Sequence, residues 1–133
     1  MNATMCRSYS LFEDGNRQLS VNFKVKEFRC KDGTDCIFIA DDLVYWLQRV
    51  RYHFNKPVTI TSAYRTPEYN RKVGGTKKSQ HMYGTAADFY IAGVQPSDIA
   101  EFLETVVPNT CGIGVYDEFV HFDVRKKRSR WKG

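Results

Sequence analysis

SQHMYGTAADFYIA, residues Ser79 to Ala92, begins without an apolar period and ends in an apolar run. Its first part closes the segment GGTKKSQHMYG, which reads as a loop, and TAADFYIA, Thr85 to Ala92, reads as a strand. That junction sets His81 and Asp88 seven residues apart, with Gly84, Ala86 and Ala87 between them. Two readings of the pair are open. They could be ligands of one metal ion, the small residues letting the loop fold back, or a loop histidine followed by a strand-start cap. By spacing alone the second is the simpler.

Outward from this stretch, the pattern alternates strands with helices. Upstream, DDLVYWLQRVRYHF (Asp41 to Phe54) places Leu43, Trp46, Leu47, Val50 and Phe54 on one helical face, with aspartates at its start to cap it and complement the dipole. Lys56 and Pro57 end that helix, and VTITSAYR (Val58 to Arg65) alternates as a half-buried strand does. Pro67 opens a short helix, PEYNRKV, stopped by Gly74 and Gly75. Downstream, Pro96 begins an amphipathic helix with Ile99, Phe102, Leu103 and Val106 on one face, closed by Pro108 and Asn109. CGIGVYDEFVHFDVR then reads as two strands joined tightly at Asp117 and Glu118. The order predicts an α+β fold, a small antiparallel sheet with packed helices.

The 133 residues, 42% of them hydrophobic, suffice for one core but not two, so a single domain over 1–133 is expected. No stretch approaches the length of a membrane-spanning helix and no repeat recurs, which excludes membrane insertion and a solenoid. The first twenty residues lack the continuous apolar core of a secretory peptide, so synthesis in the cytoplasm without export by that route is expected. Cys6, Cys30, Cys36 and Cys111 are then expected to be reduced and packed, and Cys30 and Cys36, with no second close pair, make a poor zinc site. The net charge of +5 and the basic end RKKRSRWKG favour polyanionic surroundings, such as nucleic acid, a membrane face or a wall bearing anionic polymers; a solvated, solubilising tail is the plainer alternative. No helix-turn-helix, zinc-finger or RNA-recognition signature supports a specific nucleic-acid partner.

Of the three histidines, His53 sits near a helix end, where it caps or packs. His81, Asp88 and His121, the last in FVHFD, would together supply the three nitrogen and carboxylate ligands of a catalytic zinc site with a fourth position open.

Taken in order, ITSAYRTPEYN, VGG, SQHMYGTAADF and GIGVYDEFVHFDVR resemble the successive motifs of the M15 zinc peptidases, the D-alanyl-D-alanine carboxypeptidase and cell-wall endopeptidase family. The resemblance runs from Phe23 to about Trp131, leaving residues 1–22 as an N-terminal extension and 126–133 as a basic tail. It implies the α+β fold shared with the Hedgehog signalling domain and one Zn2+ held by His81, Asp88 and His121. It also implies hydrolysis of peptidoglycan stem or cross-link peptides; the lack of a secretory peptide suits an endolysin of a phage or prophage that reaches the wall after release, and a monomer is expected. Two carboxylates compete for the role of general base. Glu118 stands three residues before His121, where many members carry an acid, although in a regular strand it would face away from His121. Asp123 shares the face of His121 but could instead hold its ring from behind. Arg65 matches the family arginine that faces substrate, and Ser79 either binds substrate or shapes the loop. The competing functions are a zinc-containing wall-binding module without catalysis and a cytoplasmic peptidase acting on D-amino-acid dipeptides.

Overall fold

The structure, a computed structural model, describes residues 5–133. In chain order the elements begin with β1 (Cys6–Ser10), α1 (Leu11–Asp14), β2 (Gln18–Ser20), β3 (Phe23–Lys24), β4 (Cys36–Ala40) and α2 (Asp41–Phe54). They continue with β5 (Thr59–Ser62), α3 (Pro67–Lys72), β6 (Ala86–Tyr90), α4 (Pro96–Val106), β7 (Gly112–Val115), β8 (Val120–Asp123) and β9 (Ser129–Lys132). Short 3-10 turns cover Val25–Phe28 and Gln80–Tyr83.

The apolar face of α2 buries Leu43, Val44, Leu47 and Val50, while Trp46 and Phe54 are only partly covered. The helix stops where Asn55 adopts the left-handed conformation and returns its backbone N–H to Arg51. Its aspartates do not cap it: the N-cap is Ala40, without a side-chain bond, and Asp41 lies in the first turn, where it pairs with Arg7 at 3.1 Å and complements the helix dipole. In α4, Ile99 and Leu103 point inward, and His53 stacks on Phe102 at 3.9 Å between ring centroids, a packing role.

The main sheet has five strands in the order β5-β6-β8-β7-β9. Its pairs are antiparallel except β7 with β9, which run parallel. One face carries Ala87, Phe89, Val120, Phe122 and Ile113 into the core shared with α2 and α4. Fully burying each such valine, isoleucine or phenylalanine contributes about 1.5–3 kcal/mol. The other face carries the polar residues treated below.

Both chain ends carry structure of their own. Residues 5–22 are folded onto the domain: β1 pairs with β4 from Cys6 opposite Ala40 to Ser10 opposite Cys36. Within the expected tail, β9 forms an edge strand against β7. Arg128 and Arg130 both reach Glu104 of α4, at 3.2 and 2.8 Å, whereas Lys126 and Lys127 stand exposed and, among the described residues, without an ion pair. The four cysteines are free thiols; Cys30 and Cys111 are buried. No helix among the described residues is long and apolar enough to cross a membrane.

Candidate metal centre

The centre is laid out by strand register. Ser62, Asp88, His121, Gly114 and Trp131 are successive cross-strand partners over the five strands, so they form one row on one face. Asp88 and His121 therefore meet because their strands pair, although they lie far apart in sequence. Gly114 leaves a gap in the row, and the Trp131 ring fills it; a Cβ at Gly114 would overlap the indole. The indole then lies 5.0 Å from the His121 ring, centroid to centroid.

His81 arrives from the 3-10 turn beside β6. The Ser79 hydroxyl accepts a bond from the His81 N–H and starts this turn, so Ser79 shapes the loop and also lines the cleft. Gly84 ends the turn at φ 74°, and a side chain there would strike the Phe38 carbonyl. The chain thus turns sharply enough to bring His81 back over Asp88.

His81, Asp88 and His121 are all buried, and one ligand atom from each lies within 4.8 Å of the others. His81 Nε2 stands 3.3 Å from Asp88 Oδ2, and His121 Nδ1 stands 2.9 Å from Asp88 Oδ1. The outward nitrogens are fixed. His81 Nδ1 donates to the Ala63 carbonyl at 2.7 Å, and His121 Nε2 donates to Asp123 Oδ2 at 2.7 Å. Each ring therefore turns its other nitrogen toward Asp88, the orientation that outer hydrogen bonds impose on metal-binding histidines.

Charge supports the same assignment. Burial would raise the Asp88 carboxyl, but bonds and attraction from His121 and His81 outweigh it and hold the group well below the usual carboxylate range. Burial opposes charge on His121, yet Asp123 and Asp88 together raise its pKa. The Asp123 carboxyl, although desolvated, is held down at about 2 by Arg125 and His121. The cluster thus favours positive charge between its carboxylates. A donor set of two imidazoles and one carboxylate, with a cleft in front, suits Zn2+ with one position open. Among the described residues, this is the one cluster of histidine, cysteine and acidic groups so disposed.

Arg65 is moored beside the cluster. Its Nε donates to Ser62 Oγ at 3.2 Å, Nη1 to Asn70 Oδ1 at 3.2 Å, and Nη2 lies 3.8 Å from Asp88 Oδ2. The cleft in front measures about 590 Å3. Its lining takes Val73, Gly74, Gly75, Thr76 and Lys78 from the segment after α3, and Tyr116, Phe119, Arg125, Ser129 and Trp131 from the β7–β9 region.

The two carboxylates that compete for the base are not brought into this cleft. Asp123 is fully buried behind His121, its Oδ1 accepting from the Arg125 backbone N–H and Nε, and its Oδ2 from Arg125 Nη2 and His121 Nε2. With every lone pair engaged, it is a positioning group rather than a proton acceptor. Glu118 stands exposed in the turn between Tyr116 and Phe119, and it does not line the cleft, although both flanking aromatics do. Sequence reasoning missed Tyr116, Arg125 and Trp131 as cleft residues; a tryptophan inside a basic run was the available signal.

Asp123→Asn is expected to weaken metal affinity about 10–100-fold, the usual cost of losing an outer partner of a ligand. Competition against a chelator measures it, and unchanged affinity would remove Asp123 from the metal's support.

An α+β fold that brings two imidazoles and a carboxylate together beside an open cleft presents a candidate three-ligand metal centre, a donor set suited to hydrolytic chemistry. The sequence model of the family described as Peptidase M15 matches residues 21–123, and the chain belongs to that family. Two relatives are alike in name and extent: the peptidoglycan L,D-endopeptidases MepK of Escherichia coli K12 and of Shigella flexneri, each 35% identical over 80 residues, 55% of this chain and 43% of theirs. The zinc D-Ala-D-Ala carboxypeptidase of Streptomyces albus G is 44% identical over 43 residues, 32% of this chain and 17% of its own length. The matched region spans less than half the length of each of these relatives.

Proposed function

We propose that this chain is a zinc-dependent peptidase that hydrolyses stem or cross-link peptides of peptidoglycan, working as a monomer. The observation that carries the reading is the convergence of His81, Asp88 and His121 at the floor of the cleft, with both outer ring nitrogens already bonded. The names of the peptidoglycan-directed relatives supply the substrate class. A zinc ion held by these three residues supplies Lewis acidity toward water and the scissile carbonyl. The Ala63 carbonyl and Asp123 keep the two rings aimed. Arg65, moored on Ser62 and Asn70, offers its guanidinium to the negative charge that develops on the carbonyl oxygen or to a substrate carboxylate.

Glu118 takes the proton of the attacking water on its carboxylate and returns it to the departing amine. Two points support it over Asp123: its oxygens have no protein partner among the described residues, whereas those of Asp123 are saturated, and it occupies a turn whose neighbours Tyr116 and Phe119 line the cleft. Its side chain must swing inward with substrate, in keeping with the loose catalytic contacts of unliganded enzymes. The finer fold reading, the α+β zinc-peptidase fold shared with the Hedgehog signalling domain, belongs to the same proposal and is supported by the motif order.

Mass spectrometry of fragments released from purified peptidoglycan by the metal-loaded protein tests this reading. New internal ends identify an endopeptidase and loss of one terminal residue a carboxypeptidase; the configuration at the cut separates L,D from D,D bonds. No release by protein holding a full metal equivalent would leave a wall-binding module instead.

The finer reading is a wall-lytic enzyme of the endolysin kind, supported by the net charge of +5 and by Lys126 and Lys127 exposed beyond β8. Replacing these two lysines with glutamine is expected to reduce wall binding at low salt, with little effect on a short soluble peptide. The difference should fade as the Debye length falls to roughly 8 Å at physiological ionic strength. Equal loss on both substrates would contradict a surface role. Replacing Arg128 and Arg130 is a different experiment, because it also breaks the ion pairs with Glu104.

A further inference from the structure

We propose that Arg125 and Trp131 form a carboxylate-binding subsite in the cleft that Lys78 also lines, so that preferred substrates carry a free carboxylate near the scissile bond. The inference rests on the peptidase reading above and adds a determinant of specificity. Both residues follow residue 123, where the family match ends, yet both line the cleft.

The Arg125 guanidinium is fixed before any ligand arrives. Its Nε and Nη2 donate to the two oxygens of Asp123 at 2.8 and 2.7 Å, and its Cζ lies 5.4 Å from the centre of the Trp131 ring. The third nitrogen, Nη1, has no partner among the described residues, and the side chain is 29% exposed. Trp131 is fixed in turn by its indole N–H, which donates to the Tyr116 hydroxyl at 2.9 Å, and by the space above Gly114. A guanidinium held on one edge and backed by an aromatic face loses little freedom on binding, so its unused donor is preorganised for an anion.

The balance of charge selects the ligand. Arg65, Lys78 and Arg125 line the cleft. The nearby carboxylates, Asp88 and Asp123, are already engaged by the histidines and arginines. A dication at the centre makes the cleft more positive still. A peptide carboxylate fits this field, whereas its carboxamide keeps the shape and loses the charge.

The test uses two matched stem peptides, one with a free carboxylate on the residue flanking the scissile bond and one with the carboxamide there. Binding to the metal-loaded full chain is read by calorimetry, which needs no turnover, and hydrolysis is read in parallel as KM and kcat. The wild type should bind the acid about tenfold more tightly or better, as expected for a charge-assisted bond, with the difference appearing in KM. Arg125→Gln should erase the preference, and Arg125→Lys should keep part of it. Equal binding of the two peptides by the wild type would overturn the proposal, as would a preference that survives in Arg125→Gln. An arginine serving only to hold Asp123 would weaken metal affinity and reduce both peptides equally, which also overturns it. Binding preference without hydrolysis of either peptide would retain the subsite and refute the peptidase reading.

Discussion

His121→Ala is expected to remove stoichiometric zinc and, with it, measurable hydrolysis of wall peptides. The imidazole is one of the three proposed ligands, and its deletion would take away a direct bond to the metal, so the loss should exceed the roughly 10–100-fold that follows loss of an outer partner. The variant also uncouples the row on the sheet, because His121 bonds both Asp88 at 2.9 Å and Asp123 at 2.7 Å. Asp123 keeps its fork from Arg125 and Asp88 keeps Arg65 nearby at 3.8 Å, so both buried carboxylates retain a cation and the domain is expected to remain folded. Elemental analysis of protein purified without added metal, beside circular dichroism, checks both parts. A folded His121→Ala protein with a full zinc equivalent would refute the ligand assignment.

Glu118→Gln should behave in the opposite way, keeping the metal while kcat falls about 10²–10⁴-fold, the range for loss of a general base. A neutral amide has the shape of the carboxylate but cannot accept the water proton. Glu118 is exposed in the 116–119 turn, so its replacement should change stability by no more than about 0.5 kcal/mol. That separates it from Asp123→Asn, whose effect should follow metal affinity and be restored by excess zinc. Single-turnover rates at saturating metal make the comparison. Near wild-type turnover in Glu118→Gln would send the search for a base to other cleft residues, since the oxygens of Asp123 are fully engaged.

Local signals predicted the elements where burial and periodicity agree. Asp41–Phe54 shows helical spacing of its apolar residues, and the structure has a helix with those bounds. The hairpin at Asp117 and Glu118 followed from two apolar runs around a short polar join, and β7 and β8 pair there. The edge strand β9 was not legible, because SRWK lacks alternation and its strand character comes from the open edge of β7. The cap at Asp41 failed for a related reason: an acidic residue favours a helix start by type, but one position decides whether its oxygen can reach a backbone N–H.

The sequence by itself determined which groups could serve as ligands and roughly where the helices and strands lie. His81, Asp88 and His121 were singled out as candidates by motif order, since the chain has only three histidines but 15 aspartates and glutamates, and residue type alone does not choose among the carboxylates. What each neighbouring group can do depended on tertiary structure. Asp123 and Glu118 are both carboxylates near His121, yet strand register and the Arg125 fork saturate one, while the turn leaves the other exposed. Trp131 likewise reads as part of a basic end until β9 docks and the missing side chain of Gly114 admits its ring beside His121. Proton affinity, access and packing are set by atoms that pairing brings together from distant positions, and spacing along the chain does not encode them.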